Sequence, residues 1–105
     1  IGGYDHNFVL DGYGEGVRKA AEVYDPKSGR VMEVYTDLPG VQLYTSNTAD
    51  EKTVGKNGAK FIRHFALCLE TQFFPDSPNH PNFPCAVLEA GKEFASTTSY
   101  RFLVR

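Results

Sequence analysis

Ala21-Glu22-Val23-Tyr24-Asp25-Pro26-Lys27-Ser28-Gly29-Arg30-Val31-Met32-Glu33-Val34-Tyr35 decides the fold class of this chain. Two runs rich in Val and Tyr flank five residues of the types that turns favour, and β-branched and aromatic side chains suit a pleated, half-buried surface. The stretch predicts an antiparallel hairpin. Working outward, period-2 alternation continues and no window long enough to test it carries a helical period. Strands are expected at residues 4–10, 17–24, 30–36, 41–45, 61–73, 86–88 and 96–104. Asp11-Gly12 with Gly14 and Gly16, and Leu38-Pro39-Gly40, supply further turns. Residues 47–60 are polar, with Gly55, Asn57 and Gly58, and read as a long exposed loop. Residues 75–84 hold four of the six prolines, which forbid ladder pairing and predict a stiff extended loop. With no repeat and no linker, residues 1–105 are expected to be part of a single all-β domain, an antiparallel β-sandwich.

The chain has 105 residues, enough for one small core against a usual domain of ~100–150 residues. Eleven Lys and Arg against thirteen Asp and Glu leave a net charge of −2, which gives no electrostatic basis for holding a phosphate backbone. Nucleic acid is not an expected partner. The longest wholly apolar runs, residues 65–69 and 84–88, are five residues each, against ~20 for a spanning helix. A membrane is not an expected partner either. The chain starts at Ile1 and its one methionine is Met32, so it reads as a piece of a longer polypeptide whose targeting signals are not in view. Cys68 and Cys85 lie in apolar surroundings without disulfide-scaffold or zinc spacing, and are expected to be buried free thiols in a reducing, cytoplasmic setting.

Two strands have faces worth separating. In residues 61–73 the odd positions, including Phe61, Phe65, Leu67, Leu69 and Phe73, form the apolar face. The even face runs through Ala66 and Cys68 to Glu70 and Gln72. A carboxylate in a strand otherwise built for burial admits two readings: an edge residue facing water or a salt-bridge partner, or a desolvated group whose raised pKa suits a general base. In residues 41–45, Val41 and Leu43 point one way and Gln42 and Tyr44 the other. Near the start, Asp5 and Asn7 share a face opposite Tyr4, His6 and Phe8. Such polar faces, interleaved with 14 aromatic residues (six Tyr and eight Phe), suit a sugar-binding groove, and equally suit the plain decoration of a sandwich surface.

Several segments together resemble the aldose 1-epimerase (galactose mutarotase) family. They are Gly3-Tyr4-Asp5-His6-Asn7-Phe8-Val9-Leu10, the Ser28-Gly29-Arg30 hairpin, Pro39-Gly40-Val41-Gln42-Leu43-Tyr44-Thr45-Ser46-Asn47, Cys68-Leu69-Glu70-Thr71-Gln72, Pro75-Asp76 with Asn79 to Pro84, and Thr97 to Phe102. They occur in family order across essentially the whole chain. The resemblance implies a galactose mutarotase-like supersandwich of which this is the C-terminal third. It further implies interconversion of the α and β anomers of free aldohexoses such as galactose and glucose, with no metal or organic cofactor. A base takes the proton of the C1 hydroxyl, an acid protonates the ring oxygen, and the opened ring recloses on its other face.

Carried over by position, the resemblance assigns the catalytic base to Glu70, and sugar-hydroxyl contacts to Asp5 and Gln42. It places the general acid, a histidine, in an upstream segment, so the chain alone is expected to be nearly inert and to need the N-terminal part of the same polypeptide. His6 is expected on the face opposite Asp5, His64 about 20 Å from Glu70 along one strand at ~3.3 Å per residue, and His80 in the proline loop. None is expected to replace the acid, and the three lack metal-ligand spacing. Two other readings stand beside the enzyme: a non-catalytic carbohydrate-binding sandwich of the same superfold, and a hexose-phosphate epimerase. The latter would want clustered cations, which Arg18, Arg30, Arg63, Arg101 and Arg105 do not form in sequence.

Overall fold

The computed structural model describes residues 2–105 and contains six strands. They are β1 (Asp5–Val9), β2 (Arg18–Tyr24), β3 (Arg30–Thr36), β4 (Gly40–Tyr44), β5 (Cys68–Gln72) and β6 (Thr98–Val104). Every pairing between them is antiparallel: β1-β4-β5 form one sheet and β2-β3-β6 the other. The expected all-β sandwich of two antiparallel sheets is what the chain forms. Short 3-10 turns at Lys56–Gly58 and Ser77–Asn79 are the helical content of the described residues, and no helix there is long and apolar enough to cross a membrane.

The hairpin β2-β3 closes as its sequence dictates. Asp25 accepts from the backbone N–H of Lys27 (3.1 Å) and Ser28 (3.2 Å) and from the Ser28 hydroxyl (2.6 Å). These bonds hold its carboxyl below the usual range, the Ser28 hydroxyl contributing most. Gly29 takes φ +74°, and a Cβ there would stand 2.8 Å from the Arg105 carbonyl oxygen, so the turn and the end of β6 meet at a position that needs glycine.

One irregularity in β2 was not anticipated. Lys19 pairs with Tyr35 but Ala21 pairs with Val34, so Ala20 is an extra residue, a β-bulge. In an unbroken strand Lys19 and Glu22, three apart, would point to opposite faces. The bulge turns both outward, where Lys19 Nζ reaches Glu22 (2.5 Å) and Glu33 (2.8 Å), Tyr35 donates to Glu33 (2.9 Å), and Arg105 pairs with Glu22 (2.8 Å).

Toward the other sheet β3 presents Val34 and Thr36, both fully buried. Thr98 bridges the two sheets, its hydroxyl 3.0 Å from that of Thr36 in β3 and 2.7 Å from that of Thr71 in β5. Tyr100 donates across the same gap to the Leu69 carbonyl (3.0 Å). Farther along, Phe8, Val41, Leu43 and Leu69 face Ala21 and Val23 across a cavity of about 540 Å³.

Three expectations are corrected. Residues 61–73 are not one strand: only Cys68–Gln72 pairs, because His64 adopts φ +61° and the Phe65 N–H turns back to the Ile62 carbonyl. A left-handed residue ends extended pairing, so the spacing of about 20 Å along a continuous strand loses its premise. Residues 86–88 form no strand; Ala86, Val87 and Leu88 line an apolar recess with Phe73 and Phe94. Cys68 and Cys85 are free, as expected, but both are exposed. Cys68 lies on the outer face of its sheet and is exposed among the described residues.

Candidate functional site

Register decides which side chains share a face. Asn7 pairs with Gln42, and Gln42 pairs with Glu70, so these three form a row across β1, β4 and β5. Asp5 pairs with Tyr44 and Tyr44 with Cys68; Val9 pairs with Gly40 and Gly40 with Gln72. Directly opposed residues point the same way. Asp5, Asn7, Gln42, Glu70 and Gln72 therefore stand together on the outer face, while Phe8, Val41, Leu43 and Leu69 point to the facing sheet. The parity read from the sequence holds within β1, β4 and β5, and the register adds which residues become neighbours.

Hydrogen bonds knit four of these five side chains. Gln42 Nε2 donates to Asp5 Oδ1 (2.9 Å), and Gln72 Nε2 donates to Gln42 Oε1 (2.9 Å) and Asn7 Oδ1 (3.0 Å). Gly40 makes the close packing possible. A Cβ at Gly40 would lie 2.5 Å from Asn7 Oδ1 and 3.0 Å from the Phe74 ring, so only a residue without a side chain leaves that space. Tyr44 extends the polar face, its hydroxyl 3.1 Å from that of Thr48.

Glu70 is the fifth member. It stands exposed opposite half-buried Gln42, and among the described residues no side chain bonds to its carboxylate. Of the two readings the sequence left open, this chain shows the water-facing one: Glu70 is exposed, while Asn7, Gln42 and Gln72 on the same face are half-buried. Among the described residues no cation pairs with Glu70. The group is free to accept a proton from a molecule lying on the row.

The histidines are placed elsewhere. His6 alternates onto the inner face and its Nδ1 takes the Asp5 N–H (3.0 Å). His64 Nδ1 lies 2.9 Å from the Thr45 carbonyl. His80 stacks on Phe83 at 4.5 Å and sits 3.0 Å from Asp76. Asp76 accepts from Asn79 and His80, which together hold its carboxyl below the usual range, Asn79 contributing most. That internal bonding at Asp76 closes the proline loop that follows β5.

The family model described as aldose 1-epimerase matches residues 1–101. The chain belongs to the aldose 1-epimerase family. It is 50% identical over 104 residues to the galactose mutarotase of Mus musculus and 48% identical over 104 residues to that of Bos taurus, covering 99% of this chain in each case. The aldose 1-epimerase of Escherichia coli (strain K12) is 36% identical over 105 residues, 98% of this chain. The chain spans 30% of the length of each of these curated relatives. Within this chain, the three residues that sequence reasoning singled out, Asp5, Gln42 and Glu70, fall on one sheet face. Asn7 and Gln72 were read onto polar faces but given no role. Their parity was the signal, and the cross-strand register turns it into contact.

Proposed function

We propose that this chain is the C-terminal portion of an aldose 1-epimerase that interconverts the anomers of free aldohexoses such as galactose and glucose, with Glu70 as base and Asp5 and Gln42 as sugar contacts. The observation that carries the proposal is the register row, which sets Glu70 beside the Asp5–Gln42 pair. An acceptor-only carboxylate and an amide, side by side, match a sugar's adjacent hydroxyls, each of which both donates and accepts. Glu70 removes the proton of the C1 hydroxyl as a histidine of the upstream polypeptide protonates the ring oxygen. The C1–O5 bond breaks, the aldehyde forms, rotation about C1–C2 presents its other face, and reclosure returns both protons. No step calls for a metal or an organic cofactor. The two unpaired thiols suit the reducing cytoplasm in which we place the protein.

Glu70→Gln in the full-length polypeptide tests this reading. The substitution keeps the shape and removes the base, so anomerisation of galactose followed by polarimetry should fall by roughly 10²- to 10⁴-fold, with sugar affinity nearly unchanged. Undiminished turnover removes Glu70 from the mechanism. The exposure of Glu70 also fits a non-catalytic sugar-binding sandwich. That protein would bind galactose and never speed its mutarotation.

A further inference from the structure

We propose that Gln72 is a positioning residue that fixes which end of the Gln42 amide faces the sugar contact Asp5. The inference deepens the mutarotase reading and rests on it. A carboxylate offers only acceptors, so the Gln42 end 2.9 Å from Asp5 is its NH2. The Gln42 carbonyl is thereby turned to Gln72, whose facing atom at 2.9 Å must be a donor. That leaves the second N–H of Gln72 for the Asn7 carbonyl at 3.0 Å. One carboxylate therefore sets the polarity of three amides in succession.

The ladder is anchored at its inner end and open at its outer end. Gln72, Gln42 and Asn7 are half-buried, whereas Asp5 is exposed. Gly40 lets the Asn7 amide oxygen and the Phe74 ring both close in on the strand where a Cβ would stand, and the Asn7 oxygen is the rung on which Gln72 leans. With both N–H groups of Gln72 committed inside the ladder, Gln42 keeps one N–H and Asp5 one oxygen for a ligand. That donor beside an acceptor is the pair a vicinal diol requires. Without Gln72 the Gln42 carbonyl has no partner to hold it, and its amide is free to rotate away from Asp5. Such a loss weakens sugar binding and leaves the proton transfer at Glu70 in place.

The test uses the full-length polypeptide, with kcat and KM for galactose read by polarimetry and folding checked by thermal melting. Gln72→Met keeps length and bulk but donates nothing; KM should rise roughly tenfold, as for loss of a hydrogen bond to a positioned group, with kcat within about twofold. Gln72→Glu, equally isosteric, sets an acceptor against two carbonyls and should raise KM further. A packing role predicts that Met, the more apolar isostere, is tolerated and that the two variants do not separate in this order. An unchanged KM in either folded variant overturns the proposal while the mutarotase reading survives. Wild-type protein that does not accelerate mutarotation overturns both. If Gln72→Met does not fold, the KM of Gln72→Glu decides alone.

Discussion

Gly40 and Glu22 show how much rests on single residues. Gly40→Ala would drive a Cβ to 2.5 Å from Asn7 Oδ1 and 3.0 Å from Phe74, and overpacking of that kind costs about 1–3 kcal/mol. A lowered denaturant midpoint with unchanged slope is the expected result. Glu22 is held down to about 2 from an ordinary value of 4.5, first by the hydrogen bond from Arg105 and then by that from Lys19. A carboxyl depressed in the folded state contributes stability that is complete above its unfolded pKa and is lost as pH falls through the folded one. The melting temperature should therefore decline between about pH 4.5 and pH 2, and Glu22→Gln should flatten that decline; an equally steep acid limb in the variant would count against the Glu22 network. At this scale the sequence was partly legible. Side-chain parity placed Asp5, Gln42 and Glu70 on their strand faces, but exposure depends on what covers a face, and so Cys68 and Cys85 were expected to be drier than they are and the two readings of Glu70 stayed open.

Elements with local causes were the easiest to read. The β2-β3 hairpin follows from neighbouring residues, Asp25 capping the turn and Gly29 closing it, and its expected β3 bounds coincide with those observed. Residues 61–67 misled because a run of aromatic and aliphatic residues gives no sign that His64 will take a positive φ. Register was illegible for a different reason: Asn7, Gln42 and Glu70 are far apart in sequence, and only tertiary pairing aligns them. The contact between the sheets is also non-local. Thr98→Val keeps shape but removes the hydroxyl shared by Thr36 and Thr71. Thr36 still accepts the Leu38 N–H at 3.1 Å, but Thr36 and Thr71 each lose a hydroxyl partner, and equilibrium unfolding should show a cost of about 1–3 kcal/mol.

The whole molecule is more open than its length predicts. Its radius of gyration is 16.5 Å, against about 13 Å for a compact domain of ~100 residues. Among the described residues the buried apolar side chains are Val31, Val34, Leu38, Pro39 and Val41, while Val9, Phe102 and Val104 are each more than 70% exposed. A sheet needs a covering layer on its apolar side, and we propose that the upstream polypeptide supplies it. The 105-residue chain made alone should bind a hydrophobic dye and self-associate in gel filtration, and co-expression with the upstream part should suppress both; a dye-silent monomer would speak against the missing cover. Tolerance to changes in chain length should be just as uneven. The polar loop after β4 can gain or lose a residue without shifting any strand, and β2 can lose Ala20, whose excision leaves Lys19 against Tyr35 and Ala21 against Val34, whereas excising a paired residue such as Val23 would slip β2 by one step against β3 and turn side chains to the opposite face. Ala20 is thus surplus to the pairing, and its loss would change the residue count without changing a single partner.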